Sequence, residues 1–126
     1  MKKIICVLLF LVVVFGLCLW NIRAVSDKVS AMIEIIEQCE ALAKYEDAEA
    51  AQDLLLEVKA LWEKDEVYFC TMLRHSETDE IYTTLRITLS ALDAGDVDDF
   101  LCHCSELRSH LELIRETERY TVGNIL

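Results

Sequence analysis

The chain has no proline at all and only three glycines, Gly16, Gly95 and Gly123, in 126 residues. Without proline nothing forces a helix to break, and with so little glycine few turns can adopt left-handed backbone cheaply. No alternating β-branched run is long enough for a strand, so a sheet-based fold is excluded. Basic residues are also scarce, 12 Lys and Arg against 23 Asp and Glu, for a net charge of −11. Acid in turn is missing from the first 26 residues. Residues 25–126 carry nine bases against 23 acids, a net −14 that repels anionic headgroups and nucleic acid alike. A nucleic-acid role is therefore excluded.

What fills the acid-free region is apolar. Thirteen of the seventeen residues in Ile4–Trp20 are Ile, Leu, Val or Phe, and none is charged. As a helix this run is about 25 Å long, and Asn21, Ile22 and the snorkelling Lys2 and Lys3 extend it towards the ~30 Å of a hydrocarbon core. At about −0.3 to −0.6 kcal/mol each, the thirteen supply roughly −4 to −8 kcal/mol towards insertion. Trp20 occupies the interfacial position favoured by aromatics. A cleaved signal would also begin with Lys2-Lys3 and an apolar run, but the best small-x-small site has Ile22 and Ala24 in the key positions. A lipoprotein signal would place Gly or Ala before its cysteine, whereas Leu17 precedes Cys18. The expectation is a retained transmembrane anchor over 1–24, lying in the lipid bilayer through Ile4–Trp20. Lys2, Lys3 and the free amine before it, against Arg23 and a Lys28 diluted by Asp27 after it, place the N-terminus in the cytoplasm. The C-terminal domain then stands outside the cytoplasmic membrane.

Residues 25–126 suffice for one small acidic domain with its own core. Ala, Leu, Glu, Lys and Gln dominate it, a composition that favours helix throughout. Val25, Val29, Met32, Ile36, Cys39 and Ala43 recur at steps of four and three, a heptad-like stripe on a helix that no breaker separates from the anchor. Tyr45-Glu46-Asp47 breaks the pattern, with Asp47 as N-cap of a second helix carrying Ala51, Leu54, Leu55, Val58, Leu61 and Trp62. A third runs from Asp65 or Glu66 to Leu92, merging with the second or divided from it near Lys64-Asp65, unless Ser76-Glu77-Thr78-Asp79 caps a new helix inside it. Asp93-Ala94-Gly95-Asp96 is the clearest boundary: Gly95 suits a left-handed C′ position and Asp96 caps a fourth helix. That helix carries Val97, Phe100, Leu101, Cys104, Leu107, Leu111 and Ile114, and ends at Gly123, with Ile125 and Leu126 folding back. The fold class is all-α: the anchor, then an up-and-down antiparallel bundle of about four helices.

Several residue groups invite chemistry. Cys102-His103-Cys104 resembles a ligand cluster, yet helical residues two apart point about 200° from one another, so both sulfurs cannot meet one ion. Cys39 and Cys104 fall on apolar stripes and read as packing residues. A disulfide among Cys39, Cys70, Cys102 and Cys104 is open outside the cytoplasm, but spacing alone cannot pair them. His103, Glu106 and His110 share one helical side, with the imidazoles two turns apart, about 10 Å, too far to chelate together. His75 sits among Arg74, Glu77, Asp79 and Glu80 without a nucleophile or an oxyanion-binding glycine loop. Glu34, Glu37, Glu40, Glu46 and Glu49 form a solvated acidic face rather than a calcium loop. Trp62, Tyr68 and Phe69, at a helix junction, read as core. No catalytic, cofactor or metal residue is assigned from the sequence.

With its short anchor, Trp62, a helix bearing His75 with acids after it, and Asn124-Ile125 at the C-terminus, the chain resembles a family of short bacterial proteins of unknown function from Gram-positive spore formers and anaerobes. The likeness spans essentially the whole chain. It implies a single-span helical protein with no assigned activity, in which Trp62, His75 and Asn124 brace the fold. The functional expectation is a non-enzymatic interaction module, without cofactor, docking on a membrane-protein partner or on a second copy. The alternative is a metal- or redox-responsive sensor using Cys102, His103, Cys104 and His110.

Overall fold

The computed structural model describes residues 1–125, without the side chains of Val122 and Ile125. Five helices follow one another: α1 Lys2–Lys44, α2 Ala48–Lys64, α3 Glu66–Met72, α4 His75–Asp93 and α5 Val97–Ile125. No strand occurs among the described residues.

Four long helices make an up-and-down bundle in which α1 packs on α2 and α5, and α4 on α5 and α2. Antiparallel pairing is fixed by contacts along each seam. Lys28 reaches Asp65 (2.9 Å) and Cys39 reaches Ala51 (3.5 Å) between α1 and α2. Arg108 reaches Glu40 (3.2 Å) from α5, and Gln52 reaches Asp93 (2.7 Å) between α2 and α4. The two turns at residues 45–47 and 94–96 therefore lie together at one end, called distal here. The short α3, residue 21 of α1 and the end of α5 lie at the other.

The heptad-like stripe of α1 is consumed by this packing. Val25, Val29, Met32, Ile36, Cys39 and Ala43 are all 3 % exposed or less, against Ala51, Leu55, Val58 and Trp62 of α2 and Phe100, Cys104, Leu107, Leu111 and Ile114 of α5. It closes one chain's core, so it offers no seam to a second copy.

Both distal turns end a helix in the same way. Asp96 N–H donates to Ala91 O (3.2 Å) and Gly95 N–H to Leu92 O (3.0 Å), with Gly95 at φ 75°. Asp47 N–H donates to Leu42 O (3.0 Å) and Glu46 N–H to Ala43 O (3.2 Å), which puts Glu46 at φ 62°. The expected caps are in place: Asp47 Oδ1 accepts from Ala50 N–H (3.2 Å) and Asp96 Oδ1 from Asp99 N–H (3.1 Å).

The choices left open around the third helix are resolved: it is divided from the second at Asp65, and it is itself two helices, because Leu73 and Arg74 are extended (ψ 162° and 144°) between α3 and α4. Glu77, inside the suspected 76–79 cap, accepts from Arg74 N–H (3.3 Å), but the helix it caps starts earlier, at His75. Leu73 is buried at that break, so a core contact offsets the lost helical bonds. Gly123 does not end α5, which continues to Ile125; a glycine lowers helix propensity without forbidding the helix. Of the expected fold-back of Ile125 and Leu126, the Ile125 side chain and all of Leu126 lie outside the described residues, and the Ile125 backbone stays helical.

α1 is one unbroken helix of 43 residues, about 64 Å long. Its apolar window is not buried at all, and the side chains of Ile4, Phe10, Val12 and Trp20 are 65 to 71 % exposed. Val25 is the first fully covered position. The N-terminal half thus projects from the bundle, long and apolar enough to cross a membrane.

Candidate functional site

The residues with chemical potential separate into a string along α5 and a junction next to the apolar segment of α1. Along α5, His103 lies 3.4 Å from Asp99 through Nε2 and 3.3 Å from Glu106 through Nδ1. His110 continues the string, 3.8 Å from the other oxygen of Glu106 and 3.7 Å from Glu80 of α4. Each imidazole offers its two nitrogens to two different carboxylates. That geometry makes a line of pairs rather than a coordination sphere, and no group of three or more metal-ligating side chains converges among the described residues. Glu106 was the partner expected from spacing; Asp99 and Glu80 were not anticipated.

The cysteines do not assemble a thiol site around Cys102. Cys102 is exposed while Cys104 is buried, as their separation on a helix requires. Cys104 instead lies near Cys39 in the α1–α5 core. Burial pushes both thiols up to about 12, helped at Cys104 by Cys39 and at Cys39 by Glu40. His75 is exposed at the first turn of α4, where its backbone carbonyl accepts from the Thr78 hydroxyl (2.9 Å). Of the acidic face, Glu34, Glu37, Glu46 and Glu49 are exposed, but Glu40 turns inward to Arg108.

The junction is built more elaborately. Trp62 and Phe69 are buried and stacked, with centroids 4.6 Å apart and planes 7° from parallel. Tyr68 packs edge-on against Phe69 (5.9 Å), and its hydroxyl donates to Asn21 O (3.1 Å). Lys28 lies 4.6 Å from the Tyr68 ring centre while pairing with Asp65. These contacts tie α3 to the first two turns of α1 after the apolar run, Asn21 to Lys28. Trp62, Tyr68 and Phe69 are therefore core and clamp, as the sequence indicated.

On the opposite flank, α5 runs back along α1 and leaves a groove of about 480 Å³. Its walls are Leu19, Ile22, Arg23 and Ser26 of α1 with Glu118, Arg119 and Gly123 of α5. Desolvation, with Glu77 behind it, raises the Glu118 carboxyl above its ordinary range. Among the described residues no ion pair forms at Arg23, Glu118 or Arg119. This groove was missed from the sequence, although a sign was available. The stripe Phe100, Cys104, Leu107, Leu111, Ile114 steps next onto Glu118, a carboxylate where an apolar residue belongs.

A family model described as a domain of unknown function, DUF4363, matches residues 19–125. The chain belongs to the DUF4363 family. The DUF4363 match begins at Leu19, the first residue of the apolar run that the bundle partly covers, and so takes in the bundle and the junction groove together. The expected membership of a family without assigned activity is met at that level. Comparison with curated proteins and with solved structures finds no match.

Proposed function

We propose that this chain is a single-span membrane protein whose DUF4363 bundle is a non-enzymatic interaction module held at the outer face of the cytoplasmic membrane. One observation carries the reading: a helix of the bundle continues without a break into a segment whose large apolar side chains are exposed from Ile4 to Leu17. Such a surface is costly in water, and the bundle does nothing to cover it. A lipid bilayer removes the cost. Lys2 and Lys3 before the segment support a cytoplasmic N-terminus.

The partner is read as another membrane protein rather than a second copy. The α1 stripe that would have supported self-association is enclosed within one chain. Exposed Leu56, Ile87 and Leu113 on a strongly acidic body remain for contact with a partner that supplies basic and apolar groups.

Alkaline extraction of membranes tests the anchor, since an integral protein stays in the pellet and a peripheral or cleaved one is released. Cys102 reports the side, because it is the exposed thiol of the distal half. In a Cys70→Ala background, which removes the other partly exposed thiol beyond the apolar segment, a membrane-impermeant maleimide should label Cys102 on intact cells, and adding Cys102→Ala should abolish that signal. Labelling only after permeabilisation would reverse the orientation. Crosslinking in native membranes followed by mass spectrometry identifies the partner, and recovery of self-crosslinked chain alone counts against the heterologous reading.

A further inference from the structure

The groove between α1 and α5 sits where α1 leaves its apolar segment, and its lining is chemically mixed in an ordered way. Leu19 and Ile22 form an apolar wall continuous with Ile4–Trp20. Arg23 and Arg119 bring one guanidinium from each helix, and Glu118 places a carboxylate between the helices. None of the three lies within an ion pair among the described residues, although both signs share one groove. Two cations, one anion and a greasy edge at headgroup depth match a zwitterion with an attached acyl chain. The groove volume also falls within the range of about 300–1,000 Å³ typical of small-molecule sites.

Resting on the single-span reading above, we infer that this groove holds one amine-bearing phospholipid, a phosphatidylethanolamine. Its phosphate lies against Arg23 and Arg119, its primary ammonium on Glu118, and its acyl chain along Leu19 and Ile22. Guanidinium is suited to phosphate by geometry as well as charge. The carboxylate sets the choice of headgroup. An acidic lipid would oppose Glu118, and a choline headgroup has no N–H to donate to it, whereas a primary ammonium has three. Ionisation of Glu118, disfavoured by its desolvation, is favoured beside an ammonium.

The test uses the full chain in mild detergent with equimolar phosphatidylethanolamine, phosphatidylcholine and phosphatidylglycerol, read by native mass spectrometry. Phosphatidylethanolamine adducts should exceed each of the others roughly fivefold, as one charge-assisted hydrogen bond at a half-open site would give. Glu118→Gln should erase the preference over phosphatidylcholine, and Arg23→Ala with Arg119→Ala should lower retention of all three. Circular dichroism of each variant confirms that the helices persist. Equal retention of the three lipids, a preference for phosphatidylglycerol, or a preference untouched by Glu118→Gln would overturn the assignment. If alkaline extraction releases the chain, the anchor reading fails instead, so the two failures are distinguishable.

Discussion

At Glu46 the first distal turn asks a side chain to accept φ 62°, the conformation that the second distal turn gives to Gly95. A residue with Cβ there costs roughly 1–2 kcal/mol, part of which a glycine would give back as entropy in the unfolded chain. Glu46→Gly should therefore stabilise the bundle by about 0.5–1 kcal/mol, seen as a higher urea midpoint at unchanged slope for the full chain in mild detergent. Gly95→Ala should do the reverse by about 1 kcal/mol. The pair of buried thiols gives a pH signature. Unfolded, each loses its proton near 9.0; folded, Cys39 and Cys104 keep theirs to about 12. Their contribution is thus intact below about 9 and is lost as pH rises towards 12, at up to about 1.4 kcal/mol per pH unit for each thiol. Urea midpoints at about pH 8 and about pH 10.5 should differ accordingly. Cys39→Ala with Cys104→Ala should shrink that difference; an unchanged difference would show that other groups cause it.

Among the elements, the α1–α5 seam shows how a charge can be drawn inward. Glu40 belongs by spacing to a solvated face, yet it pairs with Arg108 at 3.2 Å, and its Oε1 is buried with no hydrogen-bond partner. Removing Arg108 leaves that carboxylate uncompensated. Arg108→Ala should destabilise by about 1–3 kcal/mol, while Glu40→Leu with Arg108→Leu should come close to neutral. A thermodynamic cycle over the unsubstituted chain, Glu40→Leu, Arg108→Leu and their double measures the coupling, and additive single effects would disprove it. Helix identity was largely legible because it depends on local signals. The steps of three and four in α1, α2 and α5, and the caps Asp47 and Asp96, are written in single residues and their near neighbours. The break at Leu73-Arg74 was legible only as one option, through the capping residues around Glu77, since no proline or glycine marks it. It is set by burying Leu73 and by the stacking of Phe69 on Trp62, contacts that exist only after the helices have met. The junction groove was hidden for the same reason: Arg23 and Arg119 are 96 positions apart in sequence, and only the antiparallel return of α5 brings them to one wall.

Across the whole molecule, the fold sorts charge that the sequence merely totals. Residues 36–57 and 85–108, which flank the two distal turns, hold twelve acids and three bases. The rest of the chain beyond Trp20 holds eleven acids and seven bases. The negative charge is therefore concentrated at the distal end, net −9, and the end next to the apolar segment carries only −4. Screening should relieve the distal crowding, so raising salt from about 0.01 M to about 0.15 M should increase the thermal midpoint of the full chain. A midpoint that falls would mean that the surface ion pairs, such as Lys28–Asp65, outweigh the repulsion.

The continuity of α1 through Lys44 also has a mechanical meaning. On the single-span reading, no swivel separates the half in lipid from the half in the bundle, so both must lean together. From Trp20 to Lys44 the shaft measures about 36 Å, and an inclination of about 20° would sweep its tip sideways by about 12 Å. Bilayer thickness, or a neighbour pushing on the distal end, would then be felt at the opposite extremity as an angle, as along a lever.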